Sequence, residues 1–507
     1  MSTLSRNTLK QVAPQAWLSM PAEDIFSLPE KVLQFGTGVL LRGLPDYFID
    51  KANRNGIFNG RIVVVKSTAS GGTDSFETQD GLYTQVIRGI EAGKQVDKMI
   101  VNSAVSRVLT ASSQWKEILA CAANAEMKVI ISNTTEVGIS LLSGDQIDAD
   151  PPKSFPGKLL AFLWERFKIF GGSPDSGFVI IPTELIPDNA IKLRDIVLQL
   201  AQENNCSEAF KEWILQHNYF CSSLVDRIVP GKLSGKDLED AEEKLGYKDD
   251  LLIMSEVFRL WAIECTHTAA RDILSFSQVD EGVVLTEDLE KFRELKLRLL
   301  NGTHTLSCAY AFLSGFNTVG EAMRDDEMSL FITRMAIDEI APAIVSDKIT
   351  YQEACAFASS VFDRFRNPFL VHKWISIAAQ YTSKIKMRVI PILQNHYRHA
   401  SKPPQHIALG IASYLLMLRV KQGINGQYEG VWKGNSYILQ DDDVEIVSAA
   451  WEVSSDPGEV VNAVFSKTEY WNADLLSLPG LTDAITAHLE ILVKVEAGVN
   501  GIYQPIQ

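Results

Sequence analysis

Lys31-Val32-Leu33-Gln34-Phe35-Gly36-Thr37-Gly38-Val39-Leu40-Leu41-Arg42 is the stretch on which the fold turns. Its short apolar run reads as a buried strand, its two glycines as a tight turn, and Val39 to Ala52 as a helix. A β-branched run, Arg61-Ile62-Val63-Val64-Val65, comes next. Strand, glycine turn, helix and strand make a βαβ unit. Further apolar runs at Lys128-Val129-Ile130-Ile131-Ser132 and Gly177-Phe178-Val179-Ile180-Ile181, with a helical stretch from Gln114 to Ala125, suit a parallel sheet covered on both faces. The first half therefore reads as doubly wound α/β.

From Glu287 onward the pattern is long and helical: Glu287 to Leu300, Thr303 to Phe312, Glu327 to Ile340, Tyr351 to Phe365 and Gln405 to Lys421. Thr350-Tyr351-Gln352-Glu353 has the form of a capping box, and Thr286 before Glu287 and Asp288 reads as an N-cap. The expected division is a lead-in over 1–28, an α/β domain over 29–283 and a helical domain over 284–507. Residues 443–507 read as helical and as a cover for the second domain.

With 507 residues, 46% hydrophobic and 22% charged, the chain has ample material for a large core. A net charge of −15 argues against a nucleic acid or an anionic membrane as partner. An anionic small molecule would need local lysine or arginine to overcome that field. The six cysteines are scattered without a CxxC pair, the N-terminus lacks the apolar core of a signal peptide, and no apolar run approaches the ~18 residues of a membrane span. These features predict a cytoplasmic protein with reduced thiols; they leave its oligomeric state open.

Two stretches carry candidate chemistry. Glycines 36 and 38 after the first strand either make a structural turn or let the backbone approach a pyrophosphate; Leu41 stands where a third glycine is usual. The second strand ends in Lys66-Ser67-Thr68, so no acid stands there to repel a 2′-phosphate. The second stretch is Lys296-Leu297-Arg298-Leu299-Leu300-Asn301-Gly302-Thr303-His304. On an α-helix, positions 296, 301 and 304 fall at about 0°, 140° and 80°, within one broad face. A lysine, a carboxamide and an imidazole there suit a carbonyl: proton transfer by Lys296, oxygen binding by Asn301, orientation by His304. The alternative readings are an Asn-Gly turn and a core histidine.

Together these residues resemble the long-chain polyol dehydrogenases, the mannitol dehydrogenase family, over about Lys31 to Asp443. Lys-x4-Asn-x2-His is matched at Lys296, Asn301 and His304, and Phe-Gly-x-Gly-x3-Arg at Phe35, Gly36, Gly38 and Arg42. Gly81-Leu82-Tyr83-Thr84, Val225-Asp226-Arg227-Ile228 and Glu256 to Glu264 match as well. The resemblance implies a Rossmann-type domain followed by a helical domain, NAD as cofactor with NADP still open, and no metal. It further implies that Asn189 pairs with Asn301 on the reacting oxygen, and that Asp226 and Arg227 belong to the substrate site.

Two departures from the family pattern bear on substrate. Glu184-Leu185-Ile186-Pro187-Asp188-Asn189 replaces the usual Asp-Asn-x-Pro-x-Asn, and Ser132-Asn133-Thr134-Thr135-Glu136 follows a strand, which places Asn133, Thr135 and Glu136 by the nicotinamide half of the cofactor. Ser376 stands where sugar-alcohol members carry an arginine, and Lys384, Lys386 and Arg388 lie close behind. Both resemble the tagaturonate reductases and imply a keto-uronate, interconverting tagaturonate and altronate in hexuronate breakdown. The basic run then either meets the carboxylate or is a solvated stretch. Fructuronate reductase, a mannitol-type dehydrogenase and a non-catalytic dinucleotide sensor are the rival readings. The His-x-x-His pair at His396 and His399 has no carboxylate or cysteine beside it and reads as structural.

Overall fold

The computed structural model describes residues 1–67, 72–134 and 137–496. The chain divides into two units, Met1–Leu289 and Glu290–Gln507.

The first unit is built on six strands: β1 (Glu30–Phe35), β2 (Arg61–Lys66), β3 (Val105–Thr110), β4 (Val129–Ser132), β5 (Val179–Pro182) and β6 (Tyr219–Phe220). They lie in the order β3-β2-β1-β4-β5-β6, and every pairing is parallel. The winding reverses between β1 and β4, the point at which doubly wound sheets bind ligands. Successive residues of each strand serve opposite faces. Val32, Val64, Val129 and Ile131 enter one core, while Leu33, Val63, Val65 and Ile130 enter the other, under helices α1 (Phe155–Phe170), α2 (Asn189–Glu203) and α3 (Glu208–His217).

The helix expected from Val39 to Ala52 is two helices, Val39–Gly43 and Pro45–Arg54, broken at Leu44. Proline drives the residue before it out of the helical region, and Leu44 sits at φ −130°, ψ −77°. An antiparallel hairpin, Tyr83–Glu91 with Lys94–Asn102, went unread in the sequence; Ala92 and Gly93 turn it with φ of 50° and 74°. The lead-in is part of this unit, because Leu18–Ser19 pairs with Met99 and Ile100.

The second unit is helical, apart from a small antiparallel sheet of Lys421–Gln422, Tyr428–Trp432 and Asn435–Leu439. Gln405–Met417 is buried on every side from Ile407 to Met417, as its unbroken apolar composition requires. Thr350 and Glu353 do form a reciprocal capping box. Thr286 instead ends a strand, its hydroxyl accepting from the Asp288 N–H, and the helix begins at Glu290.

π-Helical segments interrupt three of these rods: Leu295–Gly302, Met335–Ile340 and Ile385–Val389. Glu294 and Gly302 at the ends of the first keep right-handed helical angles, so Glu290 to Leu313 is one continuous rod with a widened centre. Such widenings are rare and gather at functional sites.

Candidate functional site

In the first unit the glycine turn behaves as the sequence suggests, with the labour divided differently. Gly36 has φ +127°, and a Cβ there would stand 2.8 Å from the Asn133 carbonyl oxygen and 2.9 Å from Leu41 Cδ1. Gly36 is thus fixed by the crossing of β1 and β4. A Cβ on Gly38 would meet nothing within 4 Å, which leaves the backbone beyond the turn open to a ligand. The close packing usually served by a third glycine falls to Gly43, where a Cβ would stand 2.8 Å from Val229.

Several expected cofactor contacts serve the scaffold. Phe35 is fully buried and packs on Phe155 at 5.1 Å between ring centroids. Arg42 gives Nη1 to the Leu251 carbonyl at 2.5 Å and lies over the Phe76 and Tyr83 rings, its proton affinity lowered by burial. Tyr83 donates to the Arg42 carbonyl at 2.8 Å, which accounts for the tyrosine of the Gly-Leu-Tyr-Thr element. Lys66 is buried at the end of β2. Thr135 and Glu136 lie outside the described residues.

Glu184 and the loop after β4 form one hydrogen-bonded body. The buried Glu184 carboxylate accepts from Ser132 Oγ at 3.1 Å, the Thr134 N–H at 2.9 Å and Thr134 Oγ1 at 3.0 Å, and burial raises its pKa. Asn133 gives its amide to Thr183, at 3.2 Å to the carbonyl and 3.0 Å to the hydroxyl. Asn133 thus lines the Gly36 turn with its backbone.

Asn189 changes role. Its Nδ2 faces the carbonyls of Pro182, Glu184 and Ser223 at 3.0–3.1 Å, and its Oδ1 accepts from the Ser223 N–H at 3.1 Å. With both amide hydrogens committed to main chain, Asn189 is a positioning group and has none left for a substrate oxygen. Arg227 is also a brace: it donates to the Gly43 carbonyl at 2.6 Å and twice to Glu256, lies 4.7 Å from the Tyr47 ring, and burial lowers its pKa to about 10. Asp226 is buried at the end of its strand.

In the second unit the π segment reshapes the lysine motif. Lys296 and Asn301 are five residues apart, the spacing that a π turn closes with its i→i+5 hydrogen bonds. The pair, about 140° apart around an α-helix, is therefore drawn closer around the axis. Gly302 lets the neighbouring rod approach, for a Cβ there would meet Ile392 Cδ1 at 3.2 Å. Arg298, which the sequence reading passed over, ties the two π segments together. It donates to the Met387 and Arg388 carbonyls at 2.6 and 3.2 Å and pairs with Glu294 through two 3.0 Å bonds. Its i, i+4 spacing from Glu294 was the available signal.

His304 stacks on Phe365 at 4.0 Å and meets His372 edge-on at 5.1 Å. Its Nε2 is buried with no hydrogen-bond partner among the described residues. Burial first, then the charges of His372, Arg364, Arg388 and Lys384, hold the imidazole well below its ordinary range, so it is neutral. A histidine depressed in the folded state lowers stability as pH falls below its unfolded value of 6.5, because the unfolded chain takes up the proton first. Replacing His304 with Asn is expected to flatten that acid-side loss by up to ~1.4 kcal/mol per pH unit, read from urea midpoints across the window.

The basic run splits by helical face. Arg388 Nη1 donates to Thr305 Oγ1 at 3.1 Å, and Thr305 Oγ1 donates to the Asn301 carbonyl at 2.8 Å, so Arg388 is joined to the lysine motif. Lys384, one turn earlier, gives Nζ to the Ile377 carbonyl at 2.9 Å, its pKa lowered by burial and then by Arg388. Lys386 lies over the Tyr470 ring at 4.6 Å, away from them, because alternate residues on a helix point to opposite sides. Ser376 is exposed on Trp374–Ile377. His396 spends Nε2 on the Lys402 carbonyl at 2.9 Å, at a helix end.

Residues 30–274 match the mannitol dehydrogenase Rossmann domain and residues 288–493 the mannitol dehydrogenase C-terminal domain. The chain belongs to the mannitol dehydrogenase family and is an oxidoreductase acting on a CH–OH group. It is 35% identical over 489 residues to an altronate oxidoreductase of Halalkalibacterium halodurans, covering 94% of each chain. It is 36% identical over 485 residues to one of Shigella flexneri, covering 94% of this chain and 97% of that one. Among solved structures it resembles a substrate-free D-sorbitol dehydrogenase, with a TM-score of 0.77 at 21% identity over 98% of this chain and 99% of that one. The Pseudomonas fluorescens mannitol 2-dehydrogenase in complex with NAD and D-mannitol gives 0.66 at 21% identity, over 98% of both chains.

The glycine turn yields a paired prediction. Gly36→Ala is expected to cost about 1–3 kcal/mol in stability and to raise the Kd for NADH at least tenfold, because the turn must open. Gly38→Ala is expected to leave the melting temperature unchanged and weaken NADH alone. Calorimetric melting with fluorescence titration of NADH checks both.

Proposed function

We propose that this chain interconverts tagaturonate and altronate, with NAD as its hydride carrier and Lys296 as its proton carrier. The observation that carries the reading is the Lys296–Asn301 pair on a π segment, tied through Thr305 to the cation Arg388. The altronate oxidoreductases among its relatives narrow the substrate.

The turn at the β1–β4 switch point fits a dinucleotide: Gly36 makes the crossing and Gly38 leaves room for a pyrophosphate. Gly36, Gly38 and the Asn133 loop would hold the dinucleotide. When bound, the nicotinamide supplies or accepts the hydride. In reduction, Lys296 gives its proton to the carbonyl oxygen as that oxygen becomes a hydroxyl; in oxidation it takes the proton back. Asn301 donates to the same oxygen, which removes the need for a Lewis acid. Neutral His304 offers its unpartnered Nε2 to a substrate hydroxyl and fixes the sugar chain. Lys384 and Arg388 meet the uronate carboxylate, which the acidic chain as a whole repels.

NADH consumption with tagaturonate, followed by chromatographic identification of the product, tests this. Altronate is the expected product. No NADH oxidation with any ketose would leave a dinucleotide sensor as the better reading.

A further inference from the structure

Two thiols outside the functional site face each other across an antiparallel ladder. Ser223–Asp226 pairs with Leu260–Glu264, Ser223 opposite Ile263 and Asp226 opposite Leu260. The Glu264 N–H extends the ladder to the Ser222 carbonyl at 2.8 Å, so the next rung sets Cys221 opposite Cys265. Trp261 and Cys265 send their N–H groups to the other side, onto Gly282 and Thr286 at 2.7 and 2.8 Å. The rung is therefore a narrow, non-hydrogen-bonded one, in which opposed Cα atoms stand ~4.5 Å apart. A disulfide spans Cα separations of about 4.4–6.8 Å.

Residues opposed on such a rung send their side chains to the same face of the sheet, and both thiols are free and buried. Arg271 donates Nε to the Cys265 carbonyl at 2.8 Å, which fixes a positive charge beside that residue. The Cys221 S–H and the Arg271 charge both favour the thiolate at Cys265.

We propose that Cys221 and Cys265 form a reversible cross-strand disulfide when the chain meets hydrogen peroxide. The Cys265 thiolate attacks one peroxide oxygen; an S–O bond forms, the O–O bond breaks, and the departing hydroxide takes up the proton that Cys265 released. The Cys221 sulfur then attacks the Cys265 sulfur. An S–S bond forms, the S–O bond breaks, and hydroxide leaves as water with the Cys221 proton. Two thiols lose two electrons and two protons, and peroxide becomes two waters. A dithiol such as dithiothreitol reverses the bond by exchange. The ladder already sets the two residues opposite each other at a separation a disulfide can span, so closure asks little of the backbone.

The test treats the whole purified chain with hydrogen peroxide, then unfolds, alkylates and digests it for mass spectrometry. The expected result is a peptide pair joined through Cys221 and Cys265, two alkylation sites lost, and recovery of both with dithiothreitol. Cys206 and Cys355, which are partly exposed, record whether the oxidant has acted. If both buried thiols stay fully alkylatable at a dose that oxidises Cys206 and Cys355, the proposal fails. In Cys221→Ser, dimedone is expected to trap a sulfenic acid at Cys265; no label there at the same dose also overturns it. The unmodified chain decides the question should that variant not fold.

Discussion

Lys296→Ala is expected to lower kcat for ketose reduction by about 10²–10⁴ while leaving the Kd for NADH unchanged. The loss falls on kcat because the proton is needed only as the carbonyl becomes an alcohol, and alanine leaves nothing at that place to give one. The π segment puts Lys296 about one turn from Asn301, which is the spacing the proposed shared action on one oxygen needs. A small primary amine in the assay is expected to restore part of the rate to Lys296→Ala, and to do nothing for Asn301→Ala, which still has its proton donor. Rescue separates a missing proton from a disturbed helix. Near-normal turnover in Lys296→Ala would remove the lysine from the mechanism.

Arg388→Met is expected to raise the KM for a keto-uronate by about 10–150-fold, the equivalent of one charge-assisted hydrogen bond at ~1.5–3 kcal/mol. Lys384→Met is expected to act in the same direction. Lys386→Met, with its ammonium over the Tyr470 ring, is the control and should leave KM unchanged. Kinetics with a neutral ketose complete the test, because a lost carboxylate contact spares that substrate and a distorted site does not. Equal KM changes for neutral and anionic ketoses in Arg388→Met would show that Arg388 serves only the packing around Thr305.

Strands β1, β2, β4 and β5 were legible because buried parallel strands are written as unbroken apolar runs, β2 and β4 almost to the residue; the more polar β3 and the two-residue β6 were not. The glycine turn was legible because Gly36 and Gly38 follow the first such run; that it lies at the switch point came from the strand order. The π segments were not, since over eight residues an apolar pattern cannot tell an α turn from a slightly wider one, and only the five-residue spacing of Lys296 and Asn301 hinted at it. The break at Leu44 was written plainly in Pro45. The fates of Arg42, Arg227 and Asn189 were hidden for another reason. Each spends its donors on main-chain carbonyls that the fold brings in from up to 209 positions away in sequence, and no local pattern encodes such a partner. Glu184 and the loop from Ser132, which the sequence offers as separate segments, are one hydrogen-bonded body, a link that no local spacing encodes.

The preference for tagaturonate is read from the ratio of kcat/KM for tagaturonate to that for fructuronate, measured with NADH on the same preparation. A ratio well above ten is expected, with fructose poorer than either uronate for want of a carboxylate. A ratio below one, or fructose as the best of the three, would contradict it.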